Sequence, residues 1–271
     1  MKAVIINPQW QGGANTETYY GAMELKELYL QRCILLDVPV SADENEQVCK
    51  KNGILYFDAL RRQMKTAKDL LLRQNPDRIF SVGGGCDADV PVISYLNEKY
   101  RGNLAILWLD AHGDLNAPCE SETSLFYGMP LRAVMDGSCF GLLENNLPVK
   151  CSQVIHVGGR DFDDTEKTFI KKKNLRCFSV REFQKTKDLI EHAIQEMGPG
   201  KLYIHLDLDV LDKDEFPYTP LPVEGGLFKE ELLALLESQK DRLAGLGIYE
   251  YKPAGIKLPY VEQLIKIGID V

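Results

Sequence analysis

The 271-residue chain predicts an α/β fold, a three-layer sandwich with a central, mostly parallel sheet flanked by helices. Three observations predict it. Apolar β-type runs alternate with amphipathic stretches along the chain. Several runs lack period-2 alternation, as strands covered on both faces do. Strand–helix alternation of this kind puts helices on both faces of a parallel sheet. No internal repeat, low-complexity tract or linker-like shift divides the sequence. It therefore reads as a single domain over 1–271, long enough to bury roughly three quarters of its unfolded surface.

The strands are expected at 2–8 (KAVIINP), 78–83 (RIFSVG), 104–110 (LAILWLD), 153–158 (QVIHVG), 201–210 (KLYIHLDLDV) and 243–251 (LAGLGIYEY). Helix-like segments lie between them at 21–32, 57–74, 87–100, 164–173, 182–197 and 229–240. In the last of these, Leu232, Leu233, Leu235 and Leu236 make a helical apolar stripe. Ligands of such sheets sit outside the carboxyl ends of the strands.

Forty acidic residues against 32 Lys and Arg leave a net charge of −8, which argues against nucleic-acid or anionic-membrane partners. The excess fits a cationic substrate or simple solubility. The start, MKAVIINPQWQGG, lacks the h-region and cleavage site of a signal peptide. No apolar run approaches the ~18 residues of a membrane span. Seven scattered cysteines, odd in number and without a C-x-x-C pair, read as reduced thiols of a cytoplasmic protein.

The chemistry gathers at strand ends. In SVGGGCDADVP (81–91), Gly83, Gly85 and Ala88 fit the G-x-G-x-x-A spacing of a dinucleotide loop, while Cys86, Asp87 and Asp89 fit the edge of a metal site. Asp110, His112 and Asp114 form D-x-H-x-D directly after a strand. In extended chain, i, i+2 and i+4 share a side, so two carboxylates and an imidazole would converge. His205, Asp207 and Asp209 repeat the arrangement among leucines. Unpaired charges in such a sheet cost several kcal/mol each, and one or two divalent ions would remove that cost. Asp110 ends a strand 25 residues after Gly85, as a ribose-binding acid would. Its company of His112 and Asp114 commits it to the metal reading instead.

With these motifs in view, the sequence resembles the ureohydrolase family, comprising arginase, agmatinase and formimidoylglutamase, as a divergent member. The resemblance rests on DAHGDLN, LDLDVLD, VPVEGGL, GGRDFDDTE and GIYEYKP, and near the N-terminus on WQGG and GAMELKEL. It implies an arginase/deacetylase-like fold, a binuclear manganese centre and, in many relatives, a homo-oligomer. By the same resemblance, Asp110 and Asp207 would bridge two ions, and His112 and Asp209 would complete one site, here site B. Asp114 would belong to the other, site A, together with Cys86. Asn116 would contact the substrate tail, and Glu250 would hold the guanidinium or amidine group, for which a carboxylate accepting two parallel hydrogen bonds is well suited. The implied function is hydrolysis of a C–N bond in a small cationic guanidino or amidine compound by a metal-activated hydroxide, with Asp114, Tyr127 and Glu250 as catalytic residues.

Three positions depart from the family pattern. Cys86 stands where the family has a histidine ligand, and Gly85 where an aspartate precedes it. Tyr127 replaces a histidine thought to shuttle protons, and a phenol near pKa 10 is a poorer shuttle at neutral pH. His205 occupies the place of a small hydroxyl residue. Thiolate favours zinc over manganese, so zinc is the alternative metal, with one or two ions bound. The alternative functions are a degenerate or single-metal member used for binding, and a zinc amidohydrolase of deacetylase type. His205 shares a face with Asp207 one pleat deeper, roughly 6–7 Å along the strand, and reads as a satisfied core histidine or, alternatively, as a partial compensation for the missing ligand. His156 and His192 read as structural, Trp10 as core, and Cys119 as part of a loop that sets specificity.

Overall fold

A computed structural model describes residues 1–43, 48–186, 188–198 and 200–271. In chain order the elements begin with β1 (Lys2–Asn7), α1 (Thr16–Tyr29), β2 (Leu35–Asp37), the hairpin β3 (Lys50–Lys51) and β4 (Ile54–Leu55), and α2 (Phe57–Gln74). Next come β5 (Arg78–Gly83), α3 (Val90–Lys99), β6 (Leu104–Leu109), α4 (Pro130–Val134) and β7 (Val154–Val157). Then follow α5 (Asp164–Lys173), β8 (Arg176–Phe178), α6 (Val180–Lys185), α7 (Leu189–Met197), β9 (Lys201–Asp207), α8 (Lys229–Gln239), β10 (Leu243–Tyr249) and α9 (Pro259–Asp270).

Eight strands form one sheet in the order β2-β1-β5-β10-β9-β6-β7-β8, and every pairing in it is parallel. Its two faces carry separate apolar cores. Ile106, Trp108 and Tyr203 join α2, α3 and α4 on one face. Leu107, Leu109, Ile204 and Leu206 join α1, α7, α8 and α9 on the other. Strand β6 is buried at all six positions, which is why its sequence shows no polar alternation. The late strands β9 and β10 fill the gap between β5 and β6. The carboxyl ends of four adjacent strands, β5, β10, β9 and β6, are thereby brought together.

The three-layer architecture and all six expected strands are present. Several boundaries differ. The helix expected at 21–32 starts at Thr16, where Asn15 caps it by accepting from the Glu17 amide. The segment 87–100 opens with a 3₁₀ turn, Cys86–Asp89, before α3. The segment 182–197 divides into α6 and α7, and residue 187 within it lies outside the described residues. Edge strands β2 and β8 and the terminal helix α9 were not anticipated. No helix among the described residues is long and apolar enough to cross a membrane, and all seven cysteines are free.

Candidate metal centre

Each candidate residue sits where a central strand runs out. After β5, the Gly84 and Gly85 amides bond the carbonyls of Asn7 and Gln9. A Cβ on Gly84 would fall 2.1 Å from the Gln9 carbonyl oxygen, and one on Gly85 2.5 Å from Asp87 and 3.0 Å from Glu250. The glycines are therefore needed for close approach, and the next turn delivers Cys86.

The extended-chain account of D-x-H-x-D requires correction. Strand β6 ends at Leu109, and Asp114 sits in the left-handed region at φ 56°. Asp209 likewise lies in a 3₁₀ turn, Leu208–Val210, rather than on β9. The side chains converge because the chain turns over the strand ends, not because they share a pleat. Glu166 fixes the first loop: it completes a capping box with Asp163 and accepts from the Leu115 amide at 3.0 Å. Glu250, at φ 56°, is the second left-handed non-glycine residue of the site. Strained backbone of this kind persists only where the surroundings enforce it.

Arg160 holds the second loop. Its guanidinium donates to the carbonyls of Gly158, Asp209, Val210, Leu211, Val223 and Glu224 at 2.7–3.4 Å. A lysine cannot reproduce that fork. Arg160→Lys is expected to lower unfolding free energy by about 3 kcal/mol, read by urea denaturation; a change within error of wild type would show the loop to be self-supporting.

Asp110, Asp114, Asp207 and Asp209 are all buried. Asp110 accepts from the His112 amide (2.6 Å) and the Trp108 indole (3.0 Å). Asp209 accepts from the Ala111 amide (3.0 Å) and lies 2.8 Å from His112 Nδ1. Asp207 accepts from the Asp209 amide (2.8 Å), and its other oxygen is 3.1 Å from Cys86 Sγ. Glu250 accepts from the Cys86 amide (3.1 Å). Asp114 Oδ2 is buried without a hydrogen-bond partner.

Burial and mutual repulsion raise Asp114, Asp207 and Asp209 above the usual carboxylate range. Burial, with Asp87 nearby, pushes Glu250 up to about 8. Asp110 alone is lowered, since the His112 hydrogen bond and charge outweigh its burial. Burial works against protonation of His112, but Asp110 and Asp209 overcome it and raise the imidazole. Burial and four neighbouring carboxylates hold the Cys86 thiol well above its ordinary value.

Donor atoms fall into three groups, each within 4.8 Å: Cys86, Asp110, Asp114 and His205; Cys86, Asp207 and Glu250; and Asp110, His112 and Asp209. Buried acids of this number, beside imidazole nitrogen, fit divalent cations. Cys86, His112, Asp114, Tyr127, Asp207, Asp209 and Glu250 line a cavity of about 20 Å³, room for about one water-sized occupant. Asn116 stands apart from it. Its amide donates to Asp163 at 2.6 Å, in an outer cavity of about 550 Å³ that also touches Tyr127.

Asp161, Glu166 and Arg160 carried no assigned role in the sequence, and Asp89 was legible only as part of a metal-site edge. Asp89 bonds His205 and Tyr203, and Asp161 Oδ2 is 3.7 Å from His112 Nε2. An acid among Ala88, Val90 and Val92 was the legible signal for Asp89. His156 is buried, and its Nε2 meets the His112 carbonyl at 2.7 Å, while His192 is exposed. Trp10 is core, donating to the Ser41 carbonyl, and Cys119 is exposed.

Residues 13–256 match the family described as the arginase family. The chain belongs to the arginase family. It is 32% identical over 240 residues to an arginase of Staphylococcus aureus, covering 84% of this chain and 79% of that protein. In fold it is similar to an arginase of Entamoeba histolytica solved with L-ornithine, at TM-score 0.84 and 18% identity over 99% and 97% of the two chains. It is also similar to a proclavaminate amidino hydrolase of Streptomyces clavuligerus, at TM-score 0.71 and 19% identity over 99% and 89%. Like other members of the arginase family it is a hydrolase, and the acidic strand ends lie within the residues that match the family.

Proposed function

We propose that the chain hydrolyses a C–N bond of a small guanidino or amidine compound in a metal-dependent reaction. The observation that carries this reading is the ring of buried acids around a cavity of one-water size, with the His112 imidazole against Asp209. Two divalent cations, when bound, would supply Lewis acidity and activation of water. Asp110, His112 and Asp209 would hold one; Cys86, Asp114 and Asp207 would face the other.

Glu250 would accept two hydrogen bonds from a planar cation. It lines a second cavity of about 160 Å³ with Gly85, Tyr127 and Leu221. That volume is below the roughly 300 Å³ of drug-sized pockets and suits a substrate of a few heavy atoms. Asp114, raised by burial and its acidic neighbours, would take up and return a proton during the reaction. Tyr127 touches all three cavities and can donate its hydroxyl to a departing nitrogen.

Glu120, Glu122, Asp163 and Asp164 line the outer cavity against one cation, Lys167. Both ends of the Asn116 amide are engaged, by Asp163 and Thr165. A cationic tail is favoured there over a carboxylate. Agmatine is expected to exceed guanidinobutyrate in kcat/KM by about 10-fold or more at low salt, with the preference shrinking as salt is added. Equal rates at all salt concentrations would remove the tail assignment. Absence of urea, ammonia or formamide release across arginine, agmatine, guanidinobutyrate, guanidinopropionate and formimidoylglutamate, with ions bound, would remove the proposed function.

Glu250→Gln is expected to lower kcat/KM by roughly 10²–10³-fold, as loss of a buried charge pair of 2–5 kcal/mol implies, with metal content unchanged. Loss of an ion instead would make Glu250 a ligand.

A further inference from the structure

His205 is held with unusual completeness for a side chain at the rim of a metal centre. Its ring is fully buried and stacks on Trp108, with centroids 3.5 Å apart and planes at 10°. On the other side lies Tyr249, at 4.8 Å and 11°. Trp108 and Gly247 are its direct cross-strand neighbours. A Cβ on Gly247 would fall 2.5 Å from the Tyr249 ring, so the glycine makes room for the stack. Asp89, itself fully buried, takes Nδ1 at 2.7 Å, and its other oxygen accepts from the Tyr203 hydroxyl. The rotamer is thereby fixed, with Nε2 directed at Cys86 Sγ, 3.2 Å away. A carboxylate behind an imidazole is the arrangement that orients metal-ligating histidines and raises their basicity.

The surroundings favour a ligand over a core hydrogen bond. The Cys86 thiol and the His205 imidazole share a space of less than 4.8 Å with Asp110 and Asp114 oxygens, and Asp114 Oδ2 has no hydrogen-bond partner. Sulfur, imidazole and carboxylate at such separations suit a tetrahedral borderline-soft ion. We propose that Cys86, His205 and Asp114, with Asp110, form a sulfur-containing site that takes zinc in preference to manganese, and that Asp89 is the positioning residue for His205. The inference rests on the metal-dependent reading above and assigns this half of the centre its own metal. Binding would displace the Cys86 proton to solvent, since the thiolate is the ligand.

Cobalt(II) titration of the metal-stripped full chain tests this without turnover. The wild type is expected to develop a near-ultraviolet thiolate-to-cobalt charge-transfer band, and one equivalent of zinc should abolish it while manganese does not. Cys86→Ser should bind cobalt without the band, and His205→Ala should lose one ion per chain. Asp89→Asn, which touches no ion, should keep the band but weaken cobalt affinity by roughly 10–100-fold. Cobalt binding without the band in wild type, or a band surviving in Cys86→Ser, would overturn the sulfur site and leave the metal reading standing. Displacement of the cobalt by manganese as readily as by zinc would overturn the zinc preference. Unchanged affinity in Asp89→Asn would overturn its positioning role. Failure of any divalent ion to bind would overturn both the site and the metal reading beneath it.

Discussion

Asp207→Asn is expected to lower kcat/KM on a guanidino or amidine substrate by at least about 10³-fold, because Lewis-acid stabilisation is worth several kcal/mol. Asp207 shares one of the three donor groups with Cys86 and Glu250: one oxygen faces Cys86 Sγ and the other takes the Asp209 amide. Asparagine keeps the shape and the second hydrogen bond but removes the charge. Metal content should fall with activity, and the fold should survive, since one buried anion among several is removed. Full activity with an unchanged ion count would show that Asp207 is a structural acid only.

The second large effect is on stability. Without bound ions, Asp114, Asp207, Asp209 and Glu250 have folded pKa values raised above those of the unfolded chain. The folded state then binds more protons than the unfolded state, so stability falls as pH rises. The window opens near the unfolded carboxylate value of roughly 4 and extends to about 8, where Glu250 titrates. His112, also raised, contributes stability that is present below about 6.5 and lost through its higher folded pKa, in the same direction. Divalent ions replace those protons, so their stabilisation should grow over the same window. At about 1,000 times Kd the gain is about 4 kcal/mol, or about 10 °C in Tm for a chain of this class. Thermal scans of stripped and loaded protein at pH 5.5 and pH 8 should show a larger separation at pH 8. Equal separations would mean the acids are satisfied without a cation.

Much of this was legible in the sequence. The apolar strand runs and the two aspartate clusters located the sheet and the end at which its chemistry lies. What failed was local geometry. Period 2 placed Asp110, His112 and Asp114 on one pleat, yet Asp114 turns left-handed and Glu166, about 50 residues on, secures the loop. No window of local sequence contains that bond. Strands β2 and β8 have three residues each and exist through pairing with β1 and β7, so they carry no periodic signal. Helix α9 did carry one, in Val261, Leu264 and Ile265 behind Pro259. His205 reads from the sequence as one pleat deeper than Asp207, as a core histidine or a partial substitute ligand. Its long side chain, locked by Trp108, Tyr249 and Asp89, spans the gap to Cys86.

The central claim is that these strand ends hold ions on which hydrolysis depends. Its most direct test is stepwise return of metal to stripped protein, with bound ions and amidine hydrolysis measured on the same samples. Hydrolysis should be absent in stripped protein and should rise until two ions per chain are held. Hydrolysis that persists in stripped protein, or that shows no relation to bound metal, would contradict the account.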